Sequence, residues 1–376
     1  MKTTALATGM LLTLTASVPA LACPTKGTGT LQQAVNAWLA SKDIPAGAMC
    51  VAAVKNGTGY ATCDGEQQPG INATTDTLFQ IGSVTKTFTG TLLAKRVSQG
   101  SLSMNSVFLG TNVTLQQVAT HTSGLPENSF LTGNITPNPA DGTLSDFYWC
   151  VDHPSSCPFN PSQGWLYSNF GFAALGFGLA DFDGYDGDWP TDIDESVLDQ
   201  LEMWDTQVYE RWVANKPLQF VQDAAHGYQY DDNDGWESVG SAPHPRCPAH
   251  NPSGCLYAST RDMRLWLRYH MGLTTPGTAL GNARDLIRGQ AYNYGSQGIG
   301  WDFSYNSTCQ GTGNWTVVSK GGSVDTQRAF IAYLQDPSAP YGVSPRGVVL
   351  LMNRDPKDED FSLTDLGFEL LQTLRP

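Results

Sequence analysis

The chain has 376 residues, 40% of them hydrophobic, and 35 acidic against 21 basic side chains give it a net charge of −14. Composition and length are those of a globular protein with ample core. The charge is local: residues 181–240 hold sixteen acidic and two basic side chains while the remainder is balanced, and a chain without a basic footprint excludes nucleic acid as a partner.

Met1 to Ala22 are expected to be a secretory signal peptide. Lys2 supplies the positive start, Ala5 to Val18 the apolar stretch and Ala20-Leu21-Ala22 the small-residue cleavage site. The segment is short for a membrane span, and no other run is long enough. The mature chain is therefore expected to be exported, periplasmic or secreted, with no stable membrane span. Cys23 follows the cleavage site, but Ala20 stands where a lipoprotein signal usually carries Leu.

Thr30 to Ala40 reads as an amphipathic helix opened by a Thr30/Gln33 capping box. Residues 50–63 read as a hairpin about Asn56-Gly57, a dipeptide suited to a two-residue turn. Leu78 leads into a helix entered at Ser83, with Phe88, Leu92, Leu93 and Val97 inward and a stop near Gly100. From 101 to 295 short helices alternate with Pro/Gly/Asn-rich loops. His121 to Pro126 reads as a helix exit, with His121 structural rather than catalytic. Tyr167-Ser168-Asn169 opens a buried helix from Phe170 to Leu179. Asp181 to Trp236 reads as a solvated acidic face, since neither its first aspartates nor Asp231 to Asp234 fit a calcium loop. Ser259 caps a helix through Trp266 and Leu267. Thr316 to Ser319, Arg328 to Leu334 and Gly347 to Met352 read as antiparallel strands, and Ser362 to Leu374 as a closing helix. The expected fold is α+β: an antiparallel sheet flanked by helices, built from 23–100 and 296–376, with 101–295 as a mostly helical insertion. Six N-x-S/T sites stand at Asn56, Asn72, Asn112, Asn134, Asn306 and Asn314.

Export makes the eight cysteines disulfide candidates. In the hairpin register Cys50 faces Cys63 at a non-hydrogen-bonded position, within disulfide range. Cys150 with Cys157, and Cys247 with Cys255, each close short Pro-containing loops. Cys23 and Cys309 pair by elimination. No C-x-x-C and no histidine spacing fits zinc, so no metal is expected.

Ser83-Val84-Thr85-Lys86 places a hydroxyl and an amine three residues apart, on one helix face. A serine hydroxyl is a weak nucleophile until a base takes its proton. A lysine serves as that base when burial and nearby positive charge lower its pKa. The S-x-x-K pair is followed by Tyr167-Ser168-Asn169 and Lys320-Gly321-Gly322, and S-x-x-K and Y-x-N each occur once.

With these motifs in this order, the chain resembles the serine β-lactamase and penicillin-binding-protein superfamily. It is most similar to the class C β-lactamases and their D-alanyl-D-alanine carboxypeptidase and endopeptidase relatives. Phe79 to Lys86, His121 to Pro126, Tyr167 to Gly171, Leu201 to Thr206 and Tyr257 to Met263 all look like family segments. The resemblance implies a β-lactamase/transpeptidase-like fold and an acyl-enzyme hydrolase without a cofactor, acting on a small molecule or a peptidoglycan peptide. It implies Ser83 as nucleophile, Lys86 and Tyr167 as the base pair, Asn169 and Lys320 with Gly321 and Gly322 in substrate binding, and the N–H groups of Ser83 and Ser323 as the oxyanion hole. An esterase or D-amino-acid amidase on the same scaffold is the alternative, and a non-catalytic β-lactam or cell-wall sensor a remote one. One departure stands out: where the family commonly has Thr inside its third motif, this chain has Gly321, so a hydroxyl for a substrate carboxylate is missing. The acidic segment is expected to rim the cleft and disfavour anionic substrates.

Overall fold

Thr30 opens the first described helix: its hydroxyl accepts from the Gln33 N–H while the Gln33 side chain accepts from the Thr30 N–H, and α1 runs Leu31–Ala40. The structure, a computed structural model, describes residues 26–128, 139–153, 164–232, 234–241, 247–289, 297–306, 315–336, 342, 344–354 and 362–375. The leader and the Asn134 and Asn314 sites lie outside the described residues. Cys157 also lies outside them, and with it the expected bond to Cys150. So do Cys23 and Cys309, and with them the pairing expected by elimination.

β1 (Ala48–Lys55) and β2 (Thr58–Gln68) turn at Asn56-Gly57, both with positive φ, as a tight hairpin turn requires. The register pairs Lys55 with Thr58 and Cys50 with Cys63, and a disulfide joins those cysteines with Cα atoms 4.0 Å apart. β3 (Ile71–Asn72) and β4 (Leu78–Gln80) follow, then a 3-10 turn at Gly82–Val84 and α2 (Thr85–Ser98).

The middle of the chain is mostly helical: α3 (Leu115–Ala119), α4 (Pro139–Asp152), α5 (Asn169–Phe182) and α6 (Trp189–Ile193). β5 (Gln207–Val208), α7 (Tyr209–Asn215) and α8 (Pro217–Asp223) precede the hairpin of β6 (Gly227–Asp231) and β7 (Gly235–Gly240). Then come α9 (Cys247–Gly254), β8 (Leu256–Ser259), α10 (Thr260–His270) and α11 (Thr278–Gly289). Ser259 caps α10 by accepting from the Asp262 N–H. A second disulfide joins Cys247 and Cys255, as the spacing leads one to expect.

β9 (Asp302–Asn306), β10 (Trp315–Val324), β11 (Gln327–Gln335), β12 (Arg346–Met352) and α12 (Leu363–Thr373) complete the fold. The large sheet is antiparallel with order β3-β2-β1-β12-β11-β10-β9, so the β1–β12 pair, Met49 opposite Met352, joins the two ends of the chain. Both faces are covered, and the period-2 alternation sorts them. Met49, Val51 and Ala53 with Val348 and Leu350 pack beneath α1 and α12, while Cys50, Ala52 and Val54 with Val349 and Leu351 join the larger core around α2, α5 and α10. Burial of large side chains at about 1.5–3 kcal/mol each holds these layers together.

Candidate active site

Ser83 sits where the 3-10 turn feeds α2, against the inner face of β10. The approach is close because both surfaces lack side chains at the contact. Gly82 has φ +52°, and a Cβ there would stand 2.5 Å from the Ser323 nitrogen; one on Gly322 would collide with the Ile81 carbonyl oxygen. The two glycines bring the Ser83 and Ser323 backbones to one cavity.

Lys86 lies on α2 with its side chain fully buried. Its amine donates to Ser83 Oγ at 3.1 Å, to Asn169 Oδ1 at 2.6 Å and to the Ser253 carbonyl at 2.6 Å. Burial pushes its pKa down to about 8; Tyr167 and Asp302 oppose that fall and Lys320 adds to it.

Tyr167 ends the loop before α5, and its hydroxyl lies 2.6 Å from Ser83 Oγ. Burial alone would raise this phenol, but the Lys86 and Lys320 charges and the Ser83 hydrogen bond outweigh burial and hold it below the usual tyrosine range. The ring rests against His121, centroids 4.4 Å apart. His121 is buried with φ +59°, and its Nδ1 accepts from the Ser168 N–H at 3.1 Å. It serves as the platform beneath Tyr167, and burial lowers its pKa well below the usual histidine value, so it is neutral.

Lys320 lies inside β10 rather than at a strand end, because Gly321 and Gly322 continue the pairing with Phe330 and Ala329. Its amine is 5.4 Å from the Tyr167 ring centre and 3.3 Å from Asp302 Oδ2. A Cβ at Gly321 would meet nothing nearer than Thr364 Oγ1 at 3.7 Å, so the missing hydroxyl is not excluded by space.

The arrangement brings together Ser83 from the 3-10 turn, Lys86 from α2, Tyr167 from the loop before α5, Asn169 from the start of α5, and Lys320, Gly321, Gly322 and Ser323 from β10. Two cavities meet at Ser83. One, of about 250 Å³, is walled by the Cys247–Cys255 loop, Asn128 and Asn169; the other, of about 670 Å³, runs past Lys320 and Asp302 to Thr364. A hydroxyl held between an amine of lowered pKa and a phenol of lowered pKa can lose its proton as it attacks a carbonyl.

Several participants escaped sequence reading. The Ser253 carbonyl is a backbone group without a signature. Asp302 becomes a partner of Lys320 only through the β9–β10 register, which sets it opposite Ser319. The acidic segment does not meet expectation: none of its described residues lines either cavity. Its carboxylates pair instead with Arg96 through Asp183 and Asp192, with Arg211 through Asp194, and with Arg261 through Asp205. Its hairpin stands behind the β10–β11 turn, Gly227 against Thr326.

Comparison with known proteins agrees with this fold. The beta-lactamase family model matches residues 31–372. The chain is 24% identical over 323 residues to "Protein flp" of Staphylococcus aureus (strain NCTC 8325 / PS 47), covering 77% of this chain and 57% of that protein. It thus spans little more than half the length of that relative. It is 26% identical over 173 residues to a penicillin-binding protein of Bacillus subtilis (strain 168), covering 42% of this chain and 36% of that one. In fold it resembles a class C beta-lactamase, with TM-score 0.68, 20% identity, and coverage of 88% of this chain and 92% of that one. It also resembles the octameric penicillin-binding protein homologue from Pyrococcus abyssi, with TM-score 0.65, 21% identity, and coverage of 85% and 72%.

Proposed function

The chain belongs to the beta-lactamase family, within a superfamily of serine hydrolases, and from that premise we propose an exported enzyme that acts through an acyl-enzyme on β-lactams or D-alanyl-D-alanine peptides. The observation that carries the reading is the three-way contact at Ser83, with Tyr167 at 2.6 Å and Lys86 at 3.1 Å.

Ser83 Oγ attacks the substrate carbonyl carbon as its proton passes to the Lys86–Tyr167 pair. The pair titrates as a unit, so the proton is assigned to neither group alone. The carbonyl oxygen becomes an oxyanion held by the Ser83 and Ser323 N–H groups, each such donor contributing ~10²–10³ in rate. The scissile C–N bond breaks, the leaving nitrogen takes the proton, and Ser83 is left as an ester that water hydrolyses. Asn169 fixes the Lys86 amine and offers its amide to the acyl side chain. Lys320 adds positive charge. The disulfides fit an oxidising compartment.

A second reading, an esterase or D-amino-acid amidase, is favoured by one feature. Gly321 offers no hydroxyl for a substrate carboxylate, and Asp302 already engages Lys320.

A chromogenic cephalosporin, a labelled penicillin and a short-chain ester, each followed by intact mass, test the proposal. Turnover without an accumulating adduct supports a β-lactamase, and a stable adduct absent from Ser83→Ala supports a penicillin-binding peptidase. Ester turnover alone supports the second reading, and no reaction with any of them defeats both.

A further inference from the structure

We infer that the Cys247–Cys255 disulfide is a positioning element for Lys86: it keeps the C-terminal end of α9 curled so that its carbonyls face the amine. The inference builds on the acyl-enzyme reading and adds a part outside the three motifs.

α9 spans eight residues and contains Pro252. A helix that short is marginal by itself, and the last four carbonyls of any helix lack a partner within it. Two of these carbonyls are turned toward α2. Pro252 O accepts from Thr89 Oγ1 at 2.6 Å, and Ser253 O accepts from Lys86 Nζ at 2.6 Å. The partial negative charge of a helix C-terminus favours an ammonium at that end.

The disulfide shapes this end. A straight helix would carry positions eight apart about 12 Å along its axis, yet the Cys247 and Cys255 Cα atoms are 5.4 Å apart. The segment therefore folds back on itself, and the bond closes it. Beyond the bond the chain joins the nucleophile turn directly. Leu256 O accepts from the Ile81 N–H at 2.9 Å, and the Leu256 N–H donates to Thr85 Oγ1 at 3.3 Å. On the other side Pro252 packs on Gly176 of α5, where a Cβ would collide with it. Both cysteines line the Ser83 cavity, and Gln80 Nε2 lies 2.9 Å from Cys247 Sγ. With the bond absent, the curl relaxes and the Ser253 carbonyl leaves Lys86. The amine loses an acceptor that stabilises its charged form, while Tyr167, Lys320 and Asp302 still act on it. Lys86 then deprotonates at lower pH and is held less firmly on Ser83.

The test compares Cys247→Ala/Cys255→Ala with Cys50→Ala/Cys63→Ala, which removes the hairpin disulfide. Acylation is measured against pH. The account expects the first variant to lose at least about tenfold in acylation rate, with a smaller change in KM and an acid limb moved to lower pH. The second variant keeps both rate and limb. A first variant that is folded, lacks the bond by mass, and keeps the wild-type rate and limb overturns the inference.

Should the first variant fail to fold, dithiothreitol opens the bond in folded wild-type enzyme. The dithiol becomes a ring disulfide as two electrons and two protons pass to Cys247 and Cys255, and alkylation with mass analysis identifies the opened pair. A wild-type enzyme inert to every acyl probe defeats the hydrolase reading alone. The Lys86 titration, followed by NMR of ¹³Cε-labelled lysine with the bond closed and open, then decides the inference: a fall on opening supports it, and an unchanged titration overturns it.

Discussion

The Tyr167 hydroxyl stands closer to Ser83 Oγ, at 2.6 Å, than the Lys86 amine does at 3.1 Å, although 84 positions of sequence separate the two residues. The phenol is thus as well placed as the amine to take the serine proton. Replacing it by Phe keeps the ring on His121 and removes only the oxygen. Tyr167→Phe is expected to lower kcat/KM by ~10²–10⁴, the usual contribution of a positioned acid–base group, with an unchanged melting temperature. A steady-state comparison with wild type on the best substrate checks this; an activity close to wild type assigns the proton to Lys86.

The charges around the pair fix the direction of its pH response. In the proposed mechanism the reactive form has the Lys86–Tyr167 pair one proton short, so activity is expected to fall as pH drops through the pair's apparent pKa. Lys320 lowers both members, and Asp302 raises Lys86. Lys320→Gln should therefore move the acid limb to higher pH, and Asp302→Asn should move it to lower pH. Both profiles are read from kcat/KM across pH; shifts in the same direction contradict the electrostatic account.

Two glycines of similar appearance should respond oppositely. Gly82→Ala meets a positive φ and the Ser323 nitrogen at 2.5 Å, so it is expected to cost about 1–3 kcal/mol of stability and to abolish acylation. Gly321→Thr enters open space, nearest Thr364 Oγ1 at 3.7 Å, and is expected to fold like wild type while lowering KM for carboxylate-bearing substrates. Thermal melts and KM for paired anionic and neutral substrates check both.

Local chemistry made much of the framework legible in the sequence. Asn56-Gly57 set the hairpin register that pairs Cys50 with Cys63, Thr30, Ser259 and Ser362 announced helix starts, and the alternating strands near the C-terminus paired antiparallel as expected. Contacts made across distance were not legible. Asp302 reaches Lys320 only through strand register, and Ser253 contributes a carbonyl that any residue carries. The close contacts of Gly82 with Ser323 and of Gly322 with Ile81 were not legible either, because the surface each approaches lies far away along the chain. The acidic segment suggested a charged rim, but net charge does not say which arginines will pair with it.

Asp262 offers a test of stability apart from catalysis. Burial, with the Asp205 charge adding, raises its pKa to about 7, while hydrogen bonds from the Asp205 N–H and the Thr206 hydroxyl and the Arg261 charge pull it down. Between its ordinary value and about 7 the folded state holds a proton that the unfolded state has lost. Stability contributed by this group is therefore present at low pH and falls as pH rises through that window. Asp262→Asn should remove that slope and gain relative stability at pH above the window, by at most about 1.4 kcal/mol for each pH unit the window spans. Urea melts at several pH values read it, and parallel wild-type and variant curves contradict it.

The central claim is that Ser83 becomes the acylated residue, and the most direct measurement is to label the enzyme with a fluorophosphonate or a penicillin and map the adduct by peptide mass. The account predicts one adduct per chain, on the peptide carrying Ser83, absent from Ser83→Ala and much slower to form in Tyr167→Phe. An adduct on another residue, or labelling of Ser83→Ala at the wild-type rate, would contradict it.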